Sequence, residues 1–117
     1  MIQTLIIPKF WPARLNQYLG RHWAIGHKKK KEDRAMIYVE MRRQNVSRAE
    51  GKRRVSLILV MGPQNRRADP DACLKSLLDA LVETGLLLSD DERHLEIGCY
   101  HSEKGPEMAT VIILEDL

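Results

Sequence analysis

Asp69 and Asp71 flank Pro70, Lys75 follows about one helical turn later, and Asp90 and Asp91 stand side by side beyond Gly85. Arg66 and Arg67 lie just ahead of the first pair. Carboxylates gathered in one place repel unless a cation neutralises them. Magnesium suits such a site because it is a hard ion, satisfied by a few carboxylates together with water and substrate phosphate. Lys75 is placed to reach a phosphate oxygen or to offset charge in a transition state, and Arg66 and Arg67 to position a phosphate backbone. Asp69 and Asp71 straddle a predicted helix N-terminus, whose backbone N–H groups favour anions.

Each of these residues also has a purely structural role open to it. Asp69-Pro70 is a good helix start, with Asp as N-cap and Pro at the first helical position. Asp71 in the first turn favours the helix dipole. Asp71, Lys75 and Asp79 are spaced i, i+4, i+8, which permits surface ion pairs of about 0.2–0.5 kcal/mol each. Asp90 and Asp91 are common turn residues. The sequence does not show whether the two acidic pairs meet.

The elements that must position these residues follow from periodicity and punctuation. Met1–Ile7 reads as a β-segment, and Pro8–Asn16 as a loop whose Phe10 and Trp11 either anchor it or stack on a nucleotide. A helix is predicted from Lys28 to Gln44, with Ala35, Met36, Val39 and Met41 as its apolar face. Its start carries Lys28, Lys29, Lys30 and Lys31, the wrong sign for a helix N-terminus. Those lysines are either phosphate contacts or a solvated basic face. Arg54–Met61 reads as a buried strand. A second helix runs from Pro70 to Thr84 and stops at Gly85, with Leu74, Leu77, Leu78 and Leu81 on one face. Leu86–Leu88 can return beside that helix as a short strand. Glu92–His101 and Met108–Leu114 read as two further strands. The order β-α-β-α-β-β implies an α+β domain, a small mixed sheet with two main helices packed on it.

Composition narrows the setting. The chain has 117 residues, which fits one domain spanning 1–117, and 44% of them are hydrophobic, enough for one core. Lys and Arg exceed Asp and Glu by 19 to 16. The excess is small, so its distribution matters more: basic blocks at His27–Lys31, Arg42/Arg43, Lys52–Arg54 and Arg66/Arg67 suit a polyanion. Cys73 and Cys99 form no CxxC motif and the histidines show no metal-ligand spacing, which argues against zinc. Met1–Ile7 is too short for a signal peptide and no apolar run is long enough to span a membrane, so a cytoplasmic protein is expected.

The run DPDACLKSLLDAL, then TG, then SDD, resembles the RusA family of Holliday-junction resolvases of bacterial and phage-derived genes. The family pattern is roughly D-x-D-N-x-x-K-x-x-x-D-A-L, a glycine, then D-D. Asp69, Asp71, Lys75, Asp79-Ala80-Leu81, Gly85 and Asp90-Asp91 fall in that register, and Pro12, Asn16 and Tyr18 are similar to the family's N-terminal segment. The resemblance covers most of the chain, but only Asp69–Asp91 is specific. It implies a homodimeric, magnesium-dependent α+β endonuclease that binds four-way DNA junctions and nicks two opposing strands. It makes Asp69, Asp71 and Asp91 the metal-site carboxylates, Lys75 the catalytic lysine, and Asp90 a helper or structural neighbour. Asp79, two turns into the helix, is assigned to the scaffold. Ala72 departs from the pattern, because it stands where the family has asparagine and has no amide to orient a carboxylate or bind phosphate. Three alternatives stand beside the resolvase: a less selective branched-DNA nuclease, a branched-DNA-binding protein with weakened or lost catalysis, and a structural domain.

Overall fold

The computed structural model describes residues 1–10, 23–63 and 71–117, with the side chains of 23–27 and 71–72 left out. Its elements are β1 (Ile2–Pro8), α1 (Trp23–Arg43), β2 (Arg53–Met61), α2 (Asp71–Thr84), β3 (Leu95–Lys104) and β4 (Ala109–Asp116). The expected α+β class and element order are observed. The strands form one mixed sheet in the order β1-β4-β2-β3. β4 lies antiparallel to both β1 and β2, and β2 and β3 are parallel. A parallel pair cannot be closed by a hairpin; here α2 lies in the crossover between the two strands.

Alternation along the strands sets the core. Leu5 and Ile7 of β1, Val55, Leu57 and Leu59 of β2, and Ile112 and Leu114 of β4 are buried. Leu77 and Leu81 of α2 are buried and share the core cluster with most of those residues, while Leu74 and Leu78 are half-buried at its margin. The deepest stripe of α2 also includes Cys73, Ser76, Ala80 and Thr84. The Ser76 hydroxyl donates to Cys73 O, and that of Thr84 to Ala80 O, so neither polar group is lost inside.

Of the face predicted for α1, only Met41 is buried; Asp33, Ile37 and Glu40 are buried with it, whereas Ala35, Met36 and Val39 face outward. Partners one turn away make the burial of the two carboxylates tolerable. Asp33 accepts from Lys29 Nζ at 2.6 Å, and Glu40 accepts from Arg43 and from Gln44. The Gln44 amide also bonds both the N–H and the C=O of Ile6. It therefore satisfies Ile6 on the outer edge of β1, where backbone groups would otherwise be unpaired. The helix ends because Asn45 adopts a left-handed φ of 55°. Asn45 N donates to Arg42 O and Val46 N to Met41 O, the two bonds that close a helix C-terminus.

Gly85 ends α2 in a left-handed conformation too, with φ of 86°. Its N–H donates to Val82 O, and Leu87 N donates to Leu81 O. A Cβ at this position would meet the Arg48 side chain at 3.1 Å. Gly85→Ala should therefore lose about 1–2 kcal/mol in a urea melt, the cost of a left-handed alanine. A loss below about 0.3 kcal/mol would show that the turn relaxes into another conformation.

Two further expectations are corrected. Leu86–Leu88 forms bends, not a strand: Leu86 and Leu87 are buried in the core and Leu88 is exposed. β3 begins at Leu95, later than predicted, because Asp91 O accepts from both His94 N and Leu95 N and folds 91–94 into a turn. β3 also does not hold one alternation. Its register against β2 shifts between Val55 and Leu57, so Ile97 pairs with Val55 but Tyr100 pairs with Leu57. Ile97 and Cys99 are consequently exposed, and Tyr100 packs against the core instead. No helix among the described residues is long and apolar enough to cross a membrane.

Candidate functional site

α2 carries the first part of the site. Asp71 opens the helix and Lys75 stands one turn further along. Residues four apart on a helix are surface neighbours, so Asp71 and Lys75 share a face. Lys75 Nζ lies 3.3 Å from Asp79 Oδ1 and 3.9 Å from Asp90 Oδ2. The loop after α2 thus brings Asp90 back to the helix face that carries Lys75, a juxtaposition that the sequence left open.

Asp79, assigned to the scaffold, also links the two helices. Its second oxygen, Oδ2, lies 3.3 Å from Lys30 Nζ on α1. Lys30, Asp79, Lys75 and Asp90 therefore form a line of alternating charge across the two helices. Spacing alone shows the Lys75–Asp79 pair. The Lys30–Asp79 pair joins residues 49 apart in the chain and has no local signature.

Asp91 faces a different partner. Its Oδ1 lies 2.8 Å from His94 Nδ1 and accepts from Arg93 N at 3.1 Å. The imidazole beside it is the main reason that its carboxyl is held below its usual value, with the Arg93 N–H adding to the effect. Asp91 is therefore kept ionised, and both bonds fall on Oδ1. Asp69, Arg66 and Arg67 lie outside the described residues, as does the side chain of Asp71. Among the described residues, no three carboxylate, cysteine or histidine groups cluster tightly enough to hold a metal ion.

The basic block at the start of α1 is divided. Lys28 is exposed, with Glu32 at 4.0 Å. Lys29 pairs with buried Asp33, and its Nζ sits 5.5 Å from the centroid of the Phe10 ring. Phe10 itself is buried, and the Thr110 hydroxyl donates to its carbonyl, so this aromatic anchors its loop. Lys30 reaches Asp79, and Lys31 is exposed.

Arg53 and Arg54, candidate backbone contacts by local charge, have other employment. The Arg53 side chain is 2% exposed. Its Nε donates to Asp116 Oδ1 at 2.7 Å, and its Nη1 donates to Ser47 O at 2.9 Å and Leu86 O at 3.1 Å. Nη2 donates to Arg48 O at 3.3 Å, and the main-chain N–H donates to His94 O. Arg53 thus grips both ends of the segment that carries Asp90 and Asp91. It was missed because a fully buried arginine looks, in sequence, like any member of a basic run. Arg54 lies between Glu96 and Glu115, and those carboxylates raise its pKa.

No protein-family model matches this chain, and no curated protein matches it. The resolvase resemblance therefore rests on its residues alone.

Proposed function

We propose that this protein is a magnesium-dependent, structure-selective endodeoxyribonuclease that resolves four-way DNA junctions by paired nicks, acting as a homodimer in recombination and repair. The observation that supports this reading best is the contact between Lys75 and Asp90. It sets Asp90 beside Lys75, which follows Asp71 by one turn on α2.

The donor set fits a magnesium ion in kind, since it consists of carboxylate oxygens. Asp69, Asp71 and Asp91 would hold it, with Asp90 beside them. A bound magnesium ion would supply Lewis-acid stabilisation of a phosphodiester under attack. Lys75 offsets negative charge on the scissile phosphate, steadied by Asp79. His94 holds the Asp91 carboxylate in one orientation through Oδ1. Lys28, Lys29, Lys30, Lys31, Arg66 and Arg67 supply contacts to the DNA backbone, which position the substrate without reading its sequence. A twofold-symmetric pair of protomers presents two such sites to opposing strands of one junction.

The test is incubation of the protein with a labelled four-way junction, a linear duplex and a flap, with and without magnesium. Symmetric nicks confined to the junction are expected. They should fall about 10²–10³-fold in Asp71→Asn, the scale seen when one group that stabilises developing charge is removed, while junction binding persists. Ala72, in the place of the family's asparagine, favours one competing outcome, binding without cleavage in any divalent metal. Neither binding nor cleavage at low salt would leave the acidic residues as caps and turns.

A further inference from the structure

α1 carries a second feature that the proposed site does not use. Lys30, Arg34, Tyr38 and Arg42 recur every fourth residue, so they form one stripe about 18 Å long. Lys30, at one end, belongs to the cluster with Asp79, Lys75 and Asp90. Arg34 Nη1 meets Glu83 of α2 at 2.8 Å, with both side chains more than 40% exposed. Beyond that pair the acidic partners stop. Tyr38, Arg34, Arg48, Ala35, Glu83 and Thr84 line an open cleft of about 270 Å³. Arg42 Nη1 donates to the Tyr38 hydroxyl at 3.2 Å, and its guanidinium carbon lies 5.8 Å from the ring centroid. The Arg48 stem packs along Gly85 on the opposite wall. Among the described residues, neither Arg42 nor Arg48 is paired with a carboxylate. Positive charge at this end is concentrated enough to lower the Tyr38 pKa, chiefly through Arg42 and secondarily through Arg48.

We infer that the cleft lined by Arg34, Tyr38 and Arg48, together with Arg42 bonded to Tyr38, is a track for the phosphodiester backbone of a DNA arm running away from the Lys75/Asp90 cluster. Two guanidinium groups held near one neutral hydroxyl repel each other, and a phosphate between them removes that cost. Arginine forks and a tyrosine O–H are matched to phosphate oxygens. The exposed Arg34–Glu83 pair is weak enough to exchange its carboxylate for a phosphate. The stripe spans about five base-pair steps at 3.4 Å each, which places this contact on the arm and not at the scissile bond. By contrast, Arg43, its neighbour in the sequence, points away from the stripe and is bonded to Glu40 through both Nε and Nη2. The inference rests on the DNA-binding part of the proposed function and adds the surface that carries it.

The experiment is the salt dependence of junction and duplex binding by the full chain in EDTA, where no cleavage occurs. Each phosphate contact contributes about 0.9 to the slope of log affinity against log salt. Arg42→Gln combined with Arg48→Gln should flatten that slope by about 2 and weaken binding about tenfold or more near 0.1 M salt on both DNAs. Arg43→Gln should leave it unchanged, and Arg42→Lys with Arg48→Lys should recover most of it. Thermal melts of each variant check that the fold is retained. An unchanged slope in the double glutamine variant, or an equal drop in Arg43→Gln, overturns the track while leaving junction nicking to be judged separately. Absence of any DNA binding by the unaltered chain overturns both.

Discussion

Arg53→Ala is expected to lose about 3–5 kcal/mol of stability, the scale measured when one partner of a buried charged network is removed. A domain of this size has about 5–15 kcal/mol in total, so the variant should sit close to unfolding at 37 °C. The loss has identifiable sources. The carbonyls of Ser47, Arg48 and Leu86 each lose a guanidinium donor. The Leu86 bond is buried, and a buried acceptor left without its partner costs about 1–3 kcal/mol. Arg53→Lys should recover only part of this, because one ammonium cannot reproduce the planar fork that meets acceptors on three sides. Urea melts of the two variants measure the effect. Losses below about 1 kcal/mol in both would mean that water replaces the guanidinium freely and that the network is not structural.

The same pair sets a pH dependence. Arg53 holds the Asp116 carboxyl below its usual value of 3.8, mainly through the direct hydrogen bond. A carboxyl with a depressed folded-state pKa contributes stability that is fully present above its unfolded pKa. That contribution is lost as pH falls through the lower folded value. The loss therefore belongs to acid below about pH 4, and stability near neutrality should not depend on it. Asp116 is partly solvated, so Asp116→Asn should destabilise far less than Arg53→Ala.

Lys75→Ala should lower junction nicking about 10²–10³-fold, the range for removing one positioned charge from a developing anion. Junction binding in EDTA should stay within a few-fold, since one lysine is a small part of the DNA surface. Asp79→Asn provides the sharper comparison. Asp79 holds Lys75 through Oδ1 and Lys30 through Oδ2, each at 3.3 Å. Weakening that grip leaves the ammonium group in place chemically but no longer fixed, and misplacement of about 1 Å costs up to about 10²-fold. Nicking should thus fall about 10- to 100-fold with the lysine intact. In the Lys75→Ala background, Asp79→Asn should add little, because the group that it positions is gone. Additive losses in the double variant would assign Asp79 an independent role. An unchanged rate in Asp79→Asn would return it to the scaffold.

Local signals carried much of the fold. β2 and β4 were legible as β-branched apolar runs, and α2 from its leucine spacing and Gly85. The density of carboxylates around α2 and the Asp71–Lys75–Asp79 spacing were also legible, because all three lie on one helix. α1 was legible as a helix but not in its orientation. Its exposed Met36 and Val39 look more suited to a core than its buried Asp33 and Glu40. Lys29, Arg43 and Gln44, each three or four residues away, help make the burial of those carboxylates tolerable.

What the sequence by itself determined was an α+β chain in β-α-β-α-β-β order, with acidic pairs at either end of one helix-and-turn segment. It could not determine that Asp90 returns to Lys75, that Arg53 is buried, or that Asp79 bridges the two helices. Tertiary structure decided these because each depends on contacts between residues distant in the chain. The parallel pairing of β2 with β3 places α2 in the crossover. Buried Arg53 then grips Leu86 and His94 on either side of Asp90 and Asp91, and the returning loop sets Asp90 beside Lys75. Charge counted along the chain put Arg53 in a basic block suited to a polyanion. Its burial instead places it in the framework that holds the acidic loop.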